Sequence, residues 1–268
     1  MTDNHPVPSL SRPLTASPSP VEPLRSQLGE GLKRALRRTL DHVGLELRRK
    51  PGALQREPLR FLRDVGFRAV LDIGANTGQF ARRARRLFPQ ALIHAFEPVP
   101  AVFSELARLA ATDPLLRCHH LALGEREGEV AIAVNDFSPA SSLLPILPLT
   151  TEAYPYTARA TPLPVPLSTL DAWAAQQGEL DLPRPLLIKM DVQGYEDRVL
   201  SGGAATFASA AAVLTEVSFV PLYQGQLLFD ELHQRLRAAG FRCAGFIDAA
   251  QDPRSDRPLY ADALFLRD

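Results

Sequence analysis

The chain has 268 residues, 46% of them hydrophobic, and its 30 Lys and Arg balance 30 Asp and Glu at a formal net charge of zero. That length allows one large domain with appendages, and the neutral balance excludes a global field that would draw in nucleic acid. No apolar run approaches the ~18 residues of a membrane span, no charged-then-apolar leader opens the sequence, and Cys118 and Cys243 form neither a C-x-x-C pair nor a disulfide framework. A reducing, cytoplasmic setting is therefore expected.

Residues 1–27 carry prolines at 6, 8, 13, 18, 20 and 23 among serines and threonines, a composition that reads as a disordered tail. Leu28, Leu32, Leu36, Leu40, Val43 and Leu47 then step by three or four, with Lys33, Arg34, Arg37, Arg38 and Arg48 mostly off that stripe. Residues 28–58 are expected as a basic amphipathic helical extension. Its stretch 28–48 either docks on the domain or contacts a membrane surface or partner. Pro51-Gly52 ends that helix, and Leu54 to Val65 reads as a second, short one.

Residues 59–268 form the main domain. Ala69 to Ile73 reads as a buried parallel strand, and Phe80, Ala84, Leu87 and Phe88 share one face of the following helix. Ala91 to Phe96 is a second strand. Pro98 opens a helix burying Val102, Phe103, Leu106, Leu109 and Ala110. Leu115 to Leu123 reads as one continuous third strand, with His119 and His120 as core or edge residues, and Glu129 to Val134 alternates as another. Asn135 to Pro164 follows neither period, and its six prolines restrict φ and remove donors. An irregular segment of that length reads as a lid and acceptor wall. Ser168 or Thr169 caps a helix through Gln177. Strands Pro185–Met190 and Ala211–Val217 alternate with helices starting at Glu196 and Gln226. Phe241–Ile247 and Leu259–Leu266 read as an antiparallel hairpin. The alternation gives an α/β class.

The strand at 69–73 runs into Asp72-Ile73-Gly74-Ala75-Asn76-Thr77-Gly78, a strand, glycine loop and helix, the entry unit of a doubly wound nucleotide-binding fold. Glycine is expected there because a ligand must approach the backbone without a Cβ in the way. Glu97 ends the next strand, where a carboxylate can accept both ribose hydroxyls. A dinucleotide fingerprint needs a glycine where Asn76 stands, which argues against a nicotinamide-dependent oxidoreductase. A non-catalytic binding protein that keeps the fold is a further alternative, opposed by the retained Asp72, Glu97 and Asp191.

The D-x-G-x-N-x-G pattern resembles motif I of class I S-adenosylmethionine-dependent methyltransferases. With Phe96-Glu97-Pro98, Ala140 to Leu143, Ser168 to Asp171, Ile188 to Glu196 and Glu216 to Phe219, in that order, the chain resembles the FkbM methyltransferases over roughly residues 60–267. The resemblance implies a doubly wound, seven-stranded, mostly parallel sheet with a C-terminal antiparallel hairpin, and S-adenosyl-L-methionine as cofactor. It implies O-methylation of a sugar, glycolipid, polysaccharide or natural product.

On this reading Asp72, Gly74, Ala75, Asn76, Thr77, Gly78, Glu97, Pro98, Ala122 and Leu123 hold the cofactor. Asp191, with Glu216 assisting, is the candidate base or acceptor anchor. Ser141 and Ser142 are expected to donate to the acceptor, and Tyr154 and Tyr156 to stack on a sugar ring. Tyr195, where the family often has a small residue, is expected to narrow the cavity. Asp191 and Glu216 offer hard oxygens to Mg²⁺, with nothing further in the sequence to support a metal.

Overall fold

The computed structural model describes residues 57–176 and 182–267. The tail expected over residues 1–27 and all but the last two residues of the basic extension expected over 28–58 lie outside the described residues. The described residues open on a 3-10 turn, Arg60–Val65, where the end of a helix was expected. There follow β1 (Ala69–Ile73), α1 (Gln79–Leu87), β2 (Leu92–Phe96), α2 (Pro100–Ala110), β3 (Leu116–His119), β4 (Ala122–Leu123), β5 (Gly128–Asn135), α3 (Pro148–Ala153), β6 (Ala160–Ser168) and α4 (Leu170–Gln176). The second half holds β7 (Leu186–Met190), α5 (Glu196–Ser201), α6 (Ala204–Ser209), β8 (Ala212–Ser218), α7 (Phe229–Ala238), β9 (Phe241–Gln251) and β10 (Pro258–Arg267).

Seven strands form the main sheet in the order β3-β2-β1-β7-β8-β10-β9. All are parallel except β10, which runs antiparallel to both neighbours. This is the expected doubly wound α/β sheet with a C-terminal hairpin. Every residue of β1 and β7 is buried, as strands covered on both faces require. Alternate residues feed two cores. Leu71, Ile73, Ile188 and Val213 pack with Trp173 and Phe207 on one face, while Val70, Ile93, Leu187, Leu214 and Leu264 pack with Phe80, Ala84 and Leu106 on the other. Each such leucine or phenylalanine, fully buried, contributes about 1.5–3 kcal/mol.

Two stretches depart from what their sequence patterns suggest. The stretch Leu115 to Leu123 is not one strand: β3 ends at His119, and β4 belongs to a second, three-stranded sheet of order β4-β6-β5. The stretch Asn135 to Pro164 is not irregular throughout. It holds 3-10 turns at Ser138–Ala140 and Pro155–Thr157, the helix α3, and the first half of β6. Pro162, Pro164 and Pro166 are compatible with a strand because they lie two apart. Successive N–H groups alternate sides, so all three lost donors point away from β5. Consistently, Ala133, the partner of Pro162, spends its own backbone groups on Ser142 instead.

The remaining boundaries follow local chemistry. Proline stands at the first turn of α2, at Pro100 rather than Pro98. Thr169 is the cap of α4, its Oγ1 accepting from Ala172 N at 3.0 Å. His94 and His119 pack under Trp173, their ring nitrogens 3.1 Å apart. Burial pulls their pKa values down to about 3 and about 4, so both are neutral core residues.

Candidate functional site

A cavity of about 650 Å³ opens at the carboxyl ends of β1, β2, β7 and β8. That is where an open α/β sheet places its ligand. One half is lined by Gly74, Ala75, Asn76, Glu97, Pro98, Ala122 and Leu123. The other half is lined by Asp191, Gln193, Glu216, Tyr223, Tyr260 and Asp262. Phe137 to Leu143, Tyr154 and Tyr156 form the wall over it.

The first half is set by the loop after β1. Asn76 has φ +48°, a left-handed conformation that Asn tolerates better than most side chains. Its Oδ1 accepts from Thr77 N at 2.8 Å, and its own N–H donates to Glu97 Oε2 at 3.0 Å. Val99 N donates to Glu97 Oε1 at 2.8 Å. These bonds fix the carboxylate at the end of β2, and each oxygen keeps a lone pair for a ribose hydroxyl. Burial pushes Glu97 up to about 7 against the pull of the two backbone donors.

The two loop glycines have a different reason from the one expected. A Cβ on Gly74 would run into the Asp191 carbonyl oxygen, and one on Gly78 would meet Leu109 Cδ2 at 2.6 Å. Both also have positive φ, +75° and +85°. They let β1 approach the β7 loop and α1 approach α2. Thr77 and Gly78 do not line the cavity.

Asp72 is likewise not on the cavity surface. It is fully buried and stands in register beside Lys189 of β7. The Lys189 ammonium lies 3.2 Å from Asp72 Oδ1 and 3.6 Å from Asp191 Oδ2, and donates to the Gly74 carbonyl at 2.9 Å. Burial opposes its charge, but Asp72 and Asp191 more than offset this, and its pKa is raised. Lys189 is thus a fixed cation joining the β1 loop to the β7 loop.

The turn after β7 carries the second half. Gln193 and Gly194 both adopt positive φ, +55° and +93°. Glu196 holds that turn, its Oε1 accepting from Val192 N at 3.1 Å and Gly194 N at 3.3 Å. Gln193 Nε2 donates to Asp191 Oδ1 at 2.7 Å, and Tyr223 OH donates to Gln193 Oε1 at 2.6 Å. Asp191 is therefore positioned from two sides. Burial, together with Asp191, Glu196 and Asp262, raises Glu216 well above its ordinary value.

Ser141 and Ser142 line the cavity, but their hydroxyls have other partners. Ser142 is buried and donates to the Gln193 carbonyl at 2.7 Å, which removes it as a donor to an acceptor. Ser141 Oγ accepts from Asn135 N at 3.0 Å and keeps its own proton free to donate. Tyr195 packs at Gly124 and below Arg198, away from the cavity, so it does not narrow it. Tyr154 and Tyr156 stand with Phe137 on the wall, ring centroids 5.0–5.9 Å apart. Among the described residues no group of three or more His, Cys, Asp or Glu side chains is placed to hold a metal ion.

Tyr223, Tyr260 and Asp262 were missed at the sequence level. A signal existed for Asp262, a charge in the otherwise apolar run Leu259 to Leu266, two residues from Tyr260 and so on the same strand face.

Residues 72–243 match the methyltransferase FkbM domain. The chain is 30% identical over 169 residues to the 2-O-methyltransferase NoeI of Sinorhizobium fredii, 59% of this chain and 66% of that protein. It is 29% identical over 152 residues to Methyltransferase 1 of Beauveria bassiana, 50% of this chain and 57% of that protein. The matches thus span less than two thirds of either relative. Among solved structures it is similar, at a TM-score of 0.42 and 14% identity, to the Burkholderia thailandensis 1,6-didemethyltoxoflavin-N1-methyltransferase, covering 97% of this chain and 94% of that one. The glycine loop, Glu97 and the apolar Ala122-Leu123 fit the amino-acid, ribose and adenine parts of S-adenosylmethionine. The matched domain spans well over half of the sequence, and the chain belongs to the FkbM family of S-adenosylmethionine-dependent methyltransferases.

Proposed function

We propose that the chain methylates a hydroxyl oxygen of a sugar, glycolipid, polysaccharide or natural product. The observation that carries this is the division of one cavity into two chemically distinct halves. The half over β1 and β2 offers backbone, a ribose-type carboxylate and apolar Ala122 and Leu123. The half over β7, β8 and β10 offers carboxylates and phenol hydroxyls, which hydrogen-bond a polyol. Tyr154, Tyr156 and Phe137 supply ring faces at the wall, where a sugar ring stacks. The NoeI relative is a 2-O-methyltransferase by name, which agrees with an oxygen acceptor.

The bound cofactor supplies a sulfonium methyl that is already a good electrophile. The chain's own work is to hold the cofactor through Asn76, Glu97 and the Gly74 loop, to align the acceptor oxygen, and to receive its proton. Lys189 is placed to fix the Asp191 carboxylate while this happens. Calorimetry with S-adenosylhomocysteine tests the cofactor half: saturable binding by wild type is expected, with loss in Glu97→Ala. Transfer of label from S-adenosylmethionine to sugars and hydroxylated metabolites tests the acceptor half. Label appearing only in protein or RNA fractions would refute the hydroxyl reading.

A further inference from the structure

The FkbM match ends at residue 243, before the last strand, yet that strand supplies part of the cavity. Because β10 runs antiparallel, its first half lies at the carboxyl ends of β7 and β8. Tyr260 stands opposite Ser218 there, and Asp262 opposite Glu216. Two carboxyl groups directly opposite on a sheet repel whenever both are ionised, so this pairing gives Asp262 no part in holding the sheet together.

Three carboxylates face the acceptor half, and their surroundings separate them. Asp191 accepts from Gln193 at 2.7 Å and lies 3.6 Å from the Lys189 ammonium, so its charge is already answered. Glu216 is raised well above its ordinary value by burial and by Asp191, Glu196 and Asp262 around it, which disfavours the charged form a base needs. Asp262 is half-buried and lines the cavity, and its side-chain carboxylate has no hydrogen-bond partner among the described residues. Asp191 from the end of β7 and Asp248 from β9 face it with negative charge, and the Glu216 carboxyl of β8 stands opposite. Lys189 from β7 and Arg83 from α1 act from the other sign.

We propose that Asp262 is the catalytic base that takes the proton of the acceptor hydroxyl, with Tyr260 beside it as a hydrogen-bonding group for the acceptor. This rests on the hydroxyl reading above. In the step, the acceptor oxygen forms its bond to the methyl carbon as the carbon–sulfur bond breaks, with the electron pair remaining on sulfur. The hydroxyl proton goes to the Asp262 carboxylate and then to solvent. Burial and Asp191 push Asp262 up to about 6. At pH 7 to 8 it is ionised and more basic than an ordinary carboxylate.

The test uses the 268-residue chain, labelled S-adenosylmethionine and three classes of probe acceptor: methyl hexopyranosides, chitin oligosaccharides and a macrolide polyol. With whichever probe takes label, wild-type kcat should rise with pH through about 6 and then level. Asp262→Asn should lower kcat at least about 100-fold and abolish that limb, while acceptor KM and S-adenosylhomocysteine affinity stay within about threefold. Asp262→Ala should regain rate with added formate. Without cofactor, Asp262→Asn should raise Tm at pH 8 more than at pH 5, because it removes a half-buried charge that Asp191 opposes.

Retained kcat in Asp262→Asn would overturn the assignment and leave the hydroxyl reading standing. A lowered Tm with no formate rescue would make Asp262 a structural residue and overturn the assignment too. Failure of wild type to label any of the probes would overturn both readings together.

Discussion

Lys189 joins three parts of the site that are far apart in sequence: Asp72 on β1, the Gly74 carbonyl after it, and Asp191 after β7. At the residue scale this pairing explains why Asp72 begins the glycine-loop motif without reaching the cavity. A fully buried carboxylate next to a buried ammonium is stable as a pair, and removal of one partner leaves an uncompensated charge. Lys189→Met is therefore expected to lower the unfolding free energy in urea by about 3–5 kcal/mol. Asp72→Asn added to Lys189→Met should restore part of that loss, because the orphaned charge is gone. Equal stability of the single and double variants would mean that the two side chains do not interact. Glu97 and Asp191 were legible in the sequence because they sit at strand ends inside short motifs. Tyr223 and Asp262 were not, since their places depend on how a loop and a hairpin return to the sheet. Ser142 was misread for a related reason: its hydroxyl reaches the Gln193 carbonyl, a contact between segments 51 residues apart.

The turn from Asp191 to Glu196 shows how an element converts sequence into site geometry. Gln193 and Gly194 turn the chain through left-handed conformations, and Glu196, at the first turn of α5, accepts the Val192 and Gly194 N–H groups. The strand before it was legible from its apolar run, and the helix after it from Gly202-Gly203. The turn itself was visible only as a family block. Burial pushes Glu196 up to about 7 from 4.5, outweighing its backbone donors. Its folded pKa is raised, so the stability it supplies is full below about pH 4.5 and is lost as pH rises through about 7. Glu196→Gln keeps an oxygen to accept both N–H groups and removes the titration. The variant's Tm relative to wild type is expected to climb between pH 5 and pH 8, read by thermal melts at a series of pH values. A constant difference across that range would show that Glu196 does not titrate there. By contrast, β6 was hidden because proline normally argues against a strand, and only its pairing with β5 shows that the lost donors share one edge.

At the scale of the whole molecule, the matched family span and the folding unit do not coincide. The match stops at residue 243, while β10 lies between β8 and β9 and supplies a ladder to each. The hairpin was legible from two apolar runs flanking Asp252 to Arg257. That its second strand inserts beside β8 comes from the sheet order, with Leu264 opposite Leu214 and Phe265 opposite Val213. Leu259, Leu264 and Phe265 are at most 2% exposed. At about 1.5–3 kcal/mol each, their burial amounts to roughly 5–9 kcal/mol. A domain of ordinary stability has about 5–15 kcal/mol in all. Arg267 adds donors to the Ala210 and Phe207 carbonyls at 2.8 and 2.9 Å, closing the chain end over α6. A chain ending at residue 257 would also expose the inner edge of β8, a row of unpaired backbone groups. Such a truncation is expected to show no cooperative melt by circular dichroism and to be cut throughout by protease. A cooperative melt near that of the full chain would mean that residues 57–257 fold alone. Asp262 and Tyr260 would then have been added to an autonomous cofactor-binding unit. On the expected outcome, the strand that completes the sheet also completes the acceptor half of the cavity, and fold and acceptor site are lost together.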